Sequence, residues 1–114
     1  MEKTLTIDGR AINFKCTGGT LMRYRNQFGS EFFADLASLN TAKKDPSKIN
    51  FSVIENMTWV LAKTADSTIP DPQAWFDSFE EIDIFAVWAE LSDLVSQASR
   101  SLTKNAEKAV RTSG

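Results

Sequence analysis

The side chains that most often carry out acid–base and nucleophilic chemistry are sparse in this sequence. Histidine is absent, and Cys16 is the single cysteine. Histidine is the usual general base near neutral pH and the commonest zinc ligand, so neither a histidine-dependent hydrolase site nor an ordinary zinc site is expected. Cys16 lies in an alternating apolar run, which is typical of a small buried side chain rather than of a nucleophile.

Two glycines precede two arginines near the start of the chain. Gly18 and Gly19 could expose backbone amides to an anion, with Arg23 and Arg25 close by. No Lys-Ser or Lys-Thr pair follows, so the phosphate-binding loop signature is incomplete. The arginines are more simply explained as the polar side of an amphipathic helix whose Tyr24 faces the core, although they could also meet acidic residues of a partner.

The acidic side chains follow no recognised catalytic or metal-binding pattern. Glu80 and Glu81 have no neighbour in sequence that would place two carboxyl groups at a set separation across a cleft. Asp8 is isolated, and Asp77 with Asp83 does not have the spacing of a calcium loop. We therefore expect solvated carboxylates, with no catalytic residue, no metal and no cofactor.

Length and composition indicate one ordinary globular domain. The chain has 114 residues, of which 42% are hydrophobic and 25% charged. Thirteen basic and fifteen acidic side chains give a net charge of -2, which does not favour nucleic-acid binding. No run approaches the roughly 20 apolar residues of a membrane-spanning helix, and the first residues do not look like a secretion signal. We expect a cytoplasmic protein.

The periodicity of apolar residues predicts a hairpin followed by helices. Alternation predicts a hairpin over 4–16, with Asp8-Gly9 as its two-residue turn. Three-and-four spacing predicts helices at about 20–28, 30–40, 50–66, 72–79 and 82–102. The expected fold class is α+β, mostly α: residues 1–102 form one domain in which the hairpin packs on a bundle of four to five helices. Residues 103–114, polar and of alternating charge, are expected to form a flexible tail.

Three local signals mark where these helices begin or end. Gly29 is predicted to end the first helix in a left-handed conformation, and Ser30 to cap the start of the second. Asp71-Pro72 is typical of a helix start.

Within the 50–66 helix, Trp59 points away from the apolar stripe at about 100° per residue. It is therefore either covered by another segment of the chain or offered to a partner.

A series of short motifs then follows in a recognisable order. It comprises a strand at 11–15, Thr17-Gly-Gly-Thr20, Arg23-Tyr-Arg25, Phe28-Gly29, a helix at 54–62, a proline-containing link, a short helix with Trp75-Phe76 and a long final helix. This layout, over roughly residues 5 to 100, resembles the tail assembly chaperones of siphophages and prophages of Gram-positive bacteria.

The resemblance implies a non-enzymatic protein that binds the phage tail tape measure protein, keeps it soluble and helps recruit tail tube subunits. It also implies a location in the cytoplasm of the infected or lysogenic host and absence from the mature virion. Binding a helical partner would use an apolar groove. We place Trp59, Trp75 and Phe85 near that groove, with Arg23 and Arg25 as further partner contacts.

Two other functions stay open from the residues alone. A small DNA-binding or regulatory phage protein would need a basic recognition helix, against which the near-neutral charge and the acidic final helix argue. A structural tail completion protein is the second function that stays open. A homo-oligomer is also open, because an exposed hairpin edge can add strands across chains.

Overall fold

The fold begins with a two-stranded antiparallel hairpin, seen in a computed structural model that describes the backbone of residues 1–42 and 45–113 and the side chains of 1–42, 45 and 47–100. Strand β1 spans Glu2–Ile7 and β2 spans Arg10–Lys15, with Leu5 opposite Ile12. The turn residues Asp8 and Gly9 have φ of 54° and 75°, the left-handed values that a tight two-residue hairpin loop requires.

Helices make up the rest of the described chain. Their bounds are α1 Gly18–Phe28, α2 Phe32–Ala42, a 3-10 turn at Pro46–Lys48, α3 Phe51–Ala65, α4 Pro72–Asp77 and α5 Ile84–Ser113. The expected α+β class, with a hairpin on a mostly helical bundle, is confirmed. The backbone of α5 is helical through Ser113, whereas the side chains of 101–113 and all of Gly114 lie outside the described residues. The flexible tail expected at 103–114 therefore stays a prediction.

Helix ends follow local hydrogen-bonding chemistry. Gly29 ends α1 with φ 70° and donates its amide to the carbonyl of Arg25 at 2.8 Å, as predicted. Asp71 accepts the amide of Ala74 at 2.9 Å at the start of α4. The prediction that Ser30 caps α2 is wrong, because α2 begins at Phe32 and is preceded directly by Glu31. The Ser30 hydroxyl donates to the Asp35 carboxylate at 2.9 Å.

The central helix is α3, which is buried on more than one side. It contacts the hairpin through β2 and also packs against α1, α2, α4 and α5. Its buried residues run almost without a break from Met57 to Ala62. Because other elements surround it, the single apolar stripe predicted from spacing is only part of its buried surface.

The hairpin turn is tied to the segment that joins α4 to α5. The Asp8 carboxylate accepts the amide of Glu80 at 3.0 Å. The Arg10 guanidinium lies 4.1 Å from the centre of the Phe79 ring and donates to the carbonyl of Ser78 at 3.3 Å. Further along, Lys3 of β1 pairs with Glu90 of α5 at 2.8 Å. Among the described helices, none is both long enough and apolar enough to cross a membrane.

Candidate partner-binding surface

The two tryptophans proposed from the sequence lie in the core. Trp59 is 3% exposed, packs edge-on against Phe28 and donates its indole N–H to the carbonyl of Pro70 at 3.0 Å. It is thus covered by other segments of the same chain. Trp75 is 4% exposed and packs edge-on against Phe79 at 5.0 Å. Neither ring presents a face to which a partner could bind directly in the folded chain.

The two arginines each have a partner within the fold. Arg23 donates to the Thr64 hydroxyl at 3.1 Å, and Arg25 pairs with Glu31 at 3.5 Å. Arg23 and the edge of Trp59 line one shallow depression together with Lys63, so the structure brings these two predicted residues to the same place. Phe85, Trp75 and Arg25 do not line that depression.

Phe85 is the predicted aromatic residue that lies on the surface. Its side chain is 49% exposed, and Phe51, at the first position of α3, is 51% exposed. The two rings meet nearly edge-on with their centres 5.2 Å apart. Single exposed apolar side chains are normal on a protein surface. Two phenylalanines that contact each other while half exposed form a small apolar patch.

The patch borders a groove between α2 and α5. Its apolar walls come from both helices, from the segment before α3 and from α3 itself: Leu36, Leu39, Ile49, Ile54, Phe85 and Trp88. We call this the α2–α5 groove. Asn40, Ser92, Asp93 and Ser96 form its polar margin. The α5 residues recur at three- and four-residue spacing, so one face of that helix forms the wall.

The depth of the α2–α5 groove is set by the core beneath it. Ile54 and Leu39 are almost fully buried and belong to the main apolar cluster, whereas Leu36, Ile49 and Trp88 are half-buried. The cavity holds about 240 Å³, less than the roughly 300–1,000 Å³ of a typical small-molecule pocket. Its size suits one or two anchoring side chains of a larger partner better than a whole cofactor.

Titratable groups with a shifted pKa lie elsewhere in the fold. Burial raises the pKa of the Cys16 thiol, which keeps it protonated, the opposite of an activated thiolate. Burial, and then the neighbouring Asp35 carboxylate, raise the pKa of Tyr24 well above its usual value. In the described part of the chain, no three His, Cys, Asp or Glu side chains converge in a way that could hold a metal ion.

The spacing of apolar residues in the sequence predicted neither Phe51 as a surface residue of the site nor the groove itself. Phe51 directly follows the cap residue Asn50, outside any apolar stripe, and nothing local couples it to a residue in α5. Leu36, Leu39 and Trp88 do follow helical stripes, but a stripe predicts core packing and does not distinguish the wall of an open groove from a closed core.

No family model, curated protein or solved structure matches this chain. The α2–α5 groove is therefore interpreted from its own geometry.

Proposed function

We propose that this chain is a tail assembly chaperone of a siphophage or prophage, a non-enzymatic protein that binds the tape measure protein, keeps it soluble and helps recruit tail tube subunits. The observation that supports the binding role is the α2–α5 groove with the half-exposed Phe51–Phe85 pair at its border. An apolar groove between helices is the kind of surface that accepts an amphipathic helix.

The dimensions of the groove favour a helical partner. A helix presents apolar side chains at positions i, i+3, i+4 and i+7, and the groove offers a cavity of about 240 Å³ beside an aromatic pair. One anchor can enter the cavity while the next covers Phe51 and Phe85. A long helical protein with exposed apolar stripes, such as a tape measure protein before assembly, supplies such segments repeatedly.

The motifs that carry the family resemblance have structural roles in this fold. Thr17-Gly-Gly-Thr20 begins α1, where the Thr17 amide donates to the Thr20 hydroxyl at 3.0 Å. Phe28-Gly29 ends the same helix. These residues shape the junction of the hairpin and the helices, and the proposed binding role rests on the α2–α5 groove.

The proposal places the protein in the cytoplasm of the infected or lysogenic host and outside the finished virion, bound neither to nucleic acid nor to membrane. Mass spectrometry of purified virions separates it from the tail completion alternative. A chaperone is absent or strongly depleted, whereas a completion protein is present in every particle.

Co-expression with the tape measure protein of the same phage tests the binding role. The chain is expected to keep that protein in the soluble fraction, and Phe85→Ala is expected to weaken the complex about 30-fold, as for an aromatic anchor whose truncation costs about 2 kcal/mol. Because Phe85 is half exposed, the variant should remain folded.

Met22→Ala is the matched control. Met22 is also an exposed apolar side chain, 58% accessible, but it lies on α1 beside the Arg23–Trp59 depression. If Met22→Ala abolished binding while Phe85→Ala did not, the depression and not the groove would be the binding surface. No rescue of solubility by the unmodified chain would reject the proposed function itself.

A further inference from the structure

We infer that the α2–α5 groove selects an amphipathic helix that carries Lys or Arg along the edge of its apolar stripe lying on α5. The inference rests on the proposed function for the identity of the partner, and it adds the chemistry that the partner segment must have. It is carried by the distribution of charge around the groove.

The α5 side of the groove carries one carboxylate, Asp93, with no ion-pair partner among the described residues. The sequence has no Lys or Arg between Lys63 and Arg100. Over that span, Asp93 lines the groove itself, is exposed, and forms no ion pair with any residue of the described part of the chain.

The other acidic side chain described within α5 has a partner on the hairpin. Glu90 is paired with Lys3 of the hairpin at 2.8 Å, so its charge is already compensated. Among the described residues, Asp93 is therefore the carboxylate lining the groove that has no ion-pair partner.

The opposite side of the groove has no comparable acidic excess. Lys48 directly precedes Ile49 and lies 4.0 Å from Asp45, and both side chains are largely exposed. These two charges offset each other. Lys43 and Lys44 precede them in the sequence and lie outside the described residues. Within the described residues, the two walls thus differ in charge, and this difference would orient the bound helix.

The apolar floor and the charged edge have separate effects. Burial of apolar side chains provides most of the affinity, whereas an exposed ion pair changes it by only about two- to fivefold and is screened by salt. Complementary charge at the margin of an interface acts mainly on orientation and on the choice between partners. The groove should accept many apolar helices but prefer those with a basic edge.

Two synthetic helical peptides test this preference. They share one Leu/Ala stripe and differ only in the residues along one edge, Lys in the first peptide and Glu in the second. Fluorescence anisotropy with the full chain is expected to give about tenfold tighter binding for the Lys peptide at low salt. The difference should largely vanish at about 1 M salt, where the Debye length is about 3 Å.

Two variants test whether Asp93 causes the preference for the Lys peptide. Asp93→Asn is expected to weaken the Lys peptide about two- to fivefold and to leave the Glu peptide unchanged or slightly tighter. Asp77→Asn is the matched control, because Asp77 is an exposed carboxylate at the end of α4 that does not line the groove. Phe85→Ala should weaken both peptides.

Several results would overturn the inference: equal or tighter binding of the Glu peptide, an Asp93→Asn variant that binds like the unmodified chain, or failure of the folded chain to bind either peptide. A second copy of the chain that fills the groove, seen as a dimer that the Lys peptide does not dissociate, would also overturn it. Failure of the proposed function is distinguishable, since a chain that prefers the Lys peptide but leaves the tape measure protein insoluble keeps the inference and loses the chaperone role.

Discussion

The hydroxyl of Tyr24 donates a 2.6 Å hydrogen bond to the Asp35 carboxylate, whose other oxygen accepts from Ser30 at 2.9 Å. The Tyr24 side chain is fully buried, between the rings of Phe28 and Phe32. This contact joins α1 to α2 across the Gly29 turn. A buried donor and a carboxylate acceptor depend on each other, because either group alone would lose its partner inside the fold.

The pH dependence of stability reports on this contact. The folded-state pKa of Tyr24 lies above the unfolded value of about 10, so folding favours the neutral phenol. Its contribution is fully present below pH 10 and is lost as the pH rises through the higher folded-state value. Urea unfolding of the unmodified chain should show stability falling as the pH rises above about 10, with a shallower fall in Tyr24→Phe. Parallel curves for the two proteins would contradict this.

Trp59 shows the limit of predicting burial from the spacing of residues along one helix. Its angle around the helix axis predicted that Trp59 lies off the apolar stripe of α3. Two interpretations were then open: the ring is covered by another segment of the chain, or it is exposed to a partner. The choice between them depends on Phe28 in α1 and on the carbonyl of Pro70 in the following loop. Both are brought to Trp59 by tertiary packing, which the periodicity of one helix cannot reveal.

At the scale of elements, the hairpin and the helix ends were the most predictable parts of the fold. Asp8-Gly9 at the hairpin turn, Gly29 after α1 and Asp71-Pro72 before α4 act through their own backbone and side-chain chemistry. Ser30 was predicted to cap α2 and does not, because the helix begins at Phe32, one residue later than a cap at Ser30 requires. The α2–α5 groove could not be predicted, since it forms only where three separate helices and the segment before α3 meet.

Gly29 provides a prediction about one helix end. Its φ is 70°, and an added Cβ would meet no atom within 4 Å. The cost of Gly29→Ala is therefore one of backbone conformation alone, about 1–2 kcal/mol. We expect chemical denaturation to show a loss of unfolding free energy in that range.

Gly18→Ala is the control for that substitution. Gly18 begins α1 without a positive φ, and its added Cβ would also meet no atom within 4 Å. Alanine there should leave stability unchanged or raise it by up to about 1 kcal/mol. Equal losses in both variants would show that the left-handed conformation is not the cause.

At the scale of the whole molecule, the contribution of the C-terminal part of α5 is open to test, because the side chains of residues 101–113 lie outside the described residues. The buried side chains described on α5 run from Val87 to Ala98, while the helix bounds reach Ser113. The sequence beyond Leu102 is polar and carries alternating charge. The polar composition of this segment is the basis for the prediction that residues 103–114 add little to the stability of the domain.

Truncation after Leu102 tests that expectation. The shortened chain should unfold with a free energy within about 0.5 kcal/mol of the full chain, as for changes remote from a core. Thermal and urea unfolding followed by circular dichroism make the comparison. A loss of several kcal/mol would mean that residues 103–114 pack on the domain and are not a flexible tail.

The ties between the hairpin and the second half of the chain also set an order of events during synthesis. The hairpin leaves the ribosome before α4 and α5. The partner of Asp8, Glu80, lies 72 residues further along the chain, and the partner of Lys3, Glu90, lies 87 residues further along. At a synthesis rate of about 5–20 residues per second, these contacts can form only roughly four to seventeen seconds after the hairpin residues have been added. An isolated two-stranded hairpin is at best marginally stable. The nascent chain can cover β2 once α3 emerges, and β1 gains its contacts with α5 only when that helix has been made.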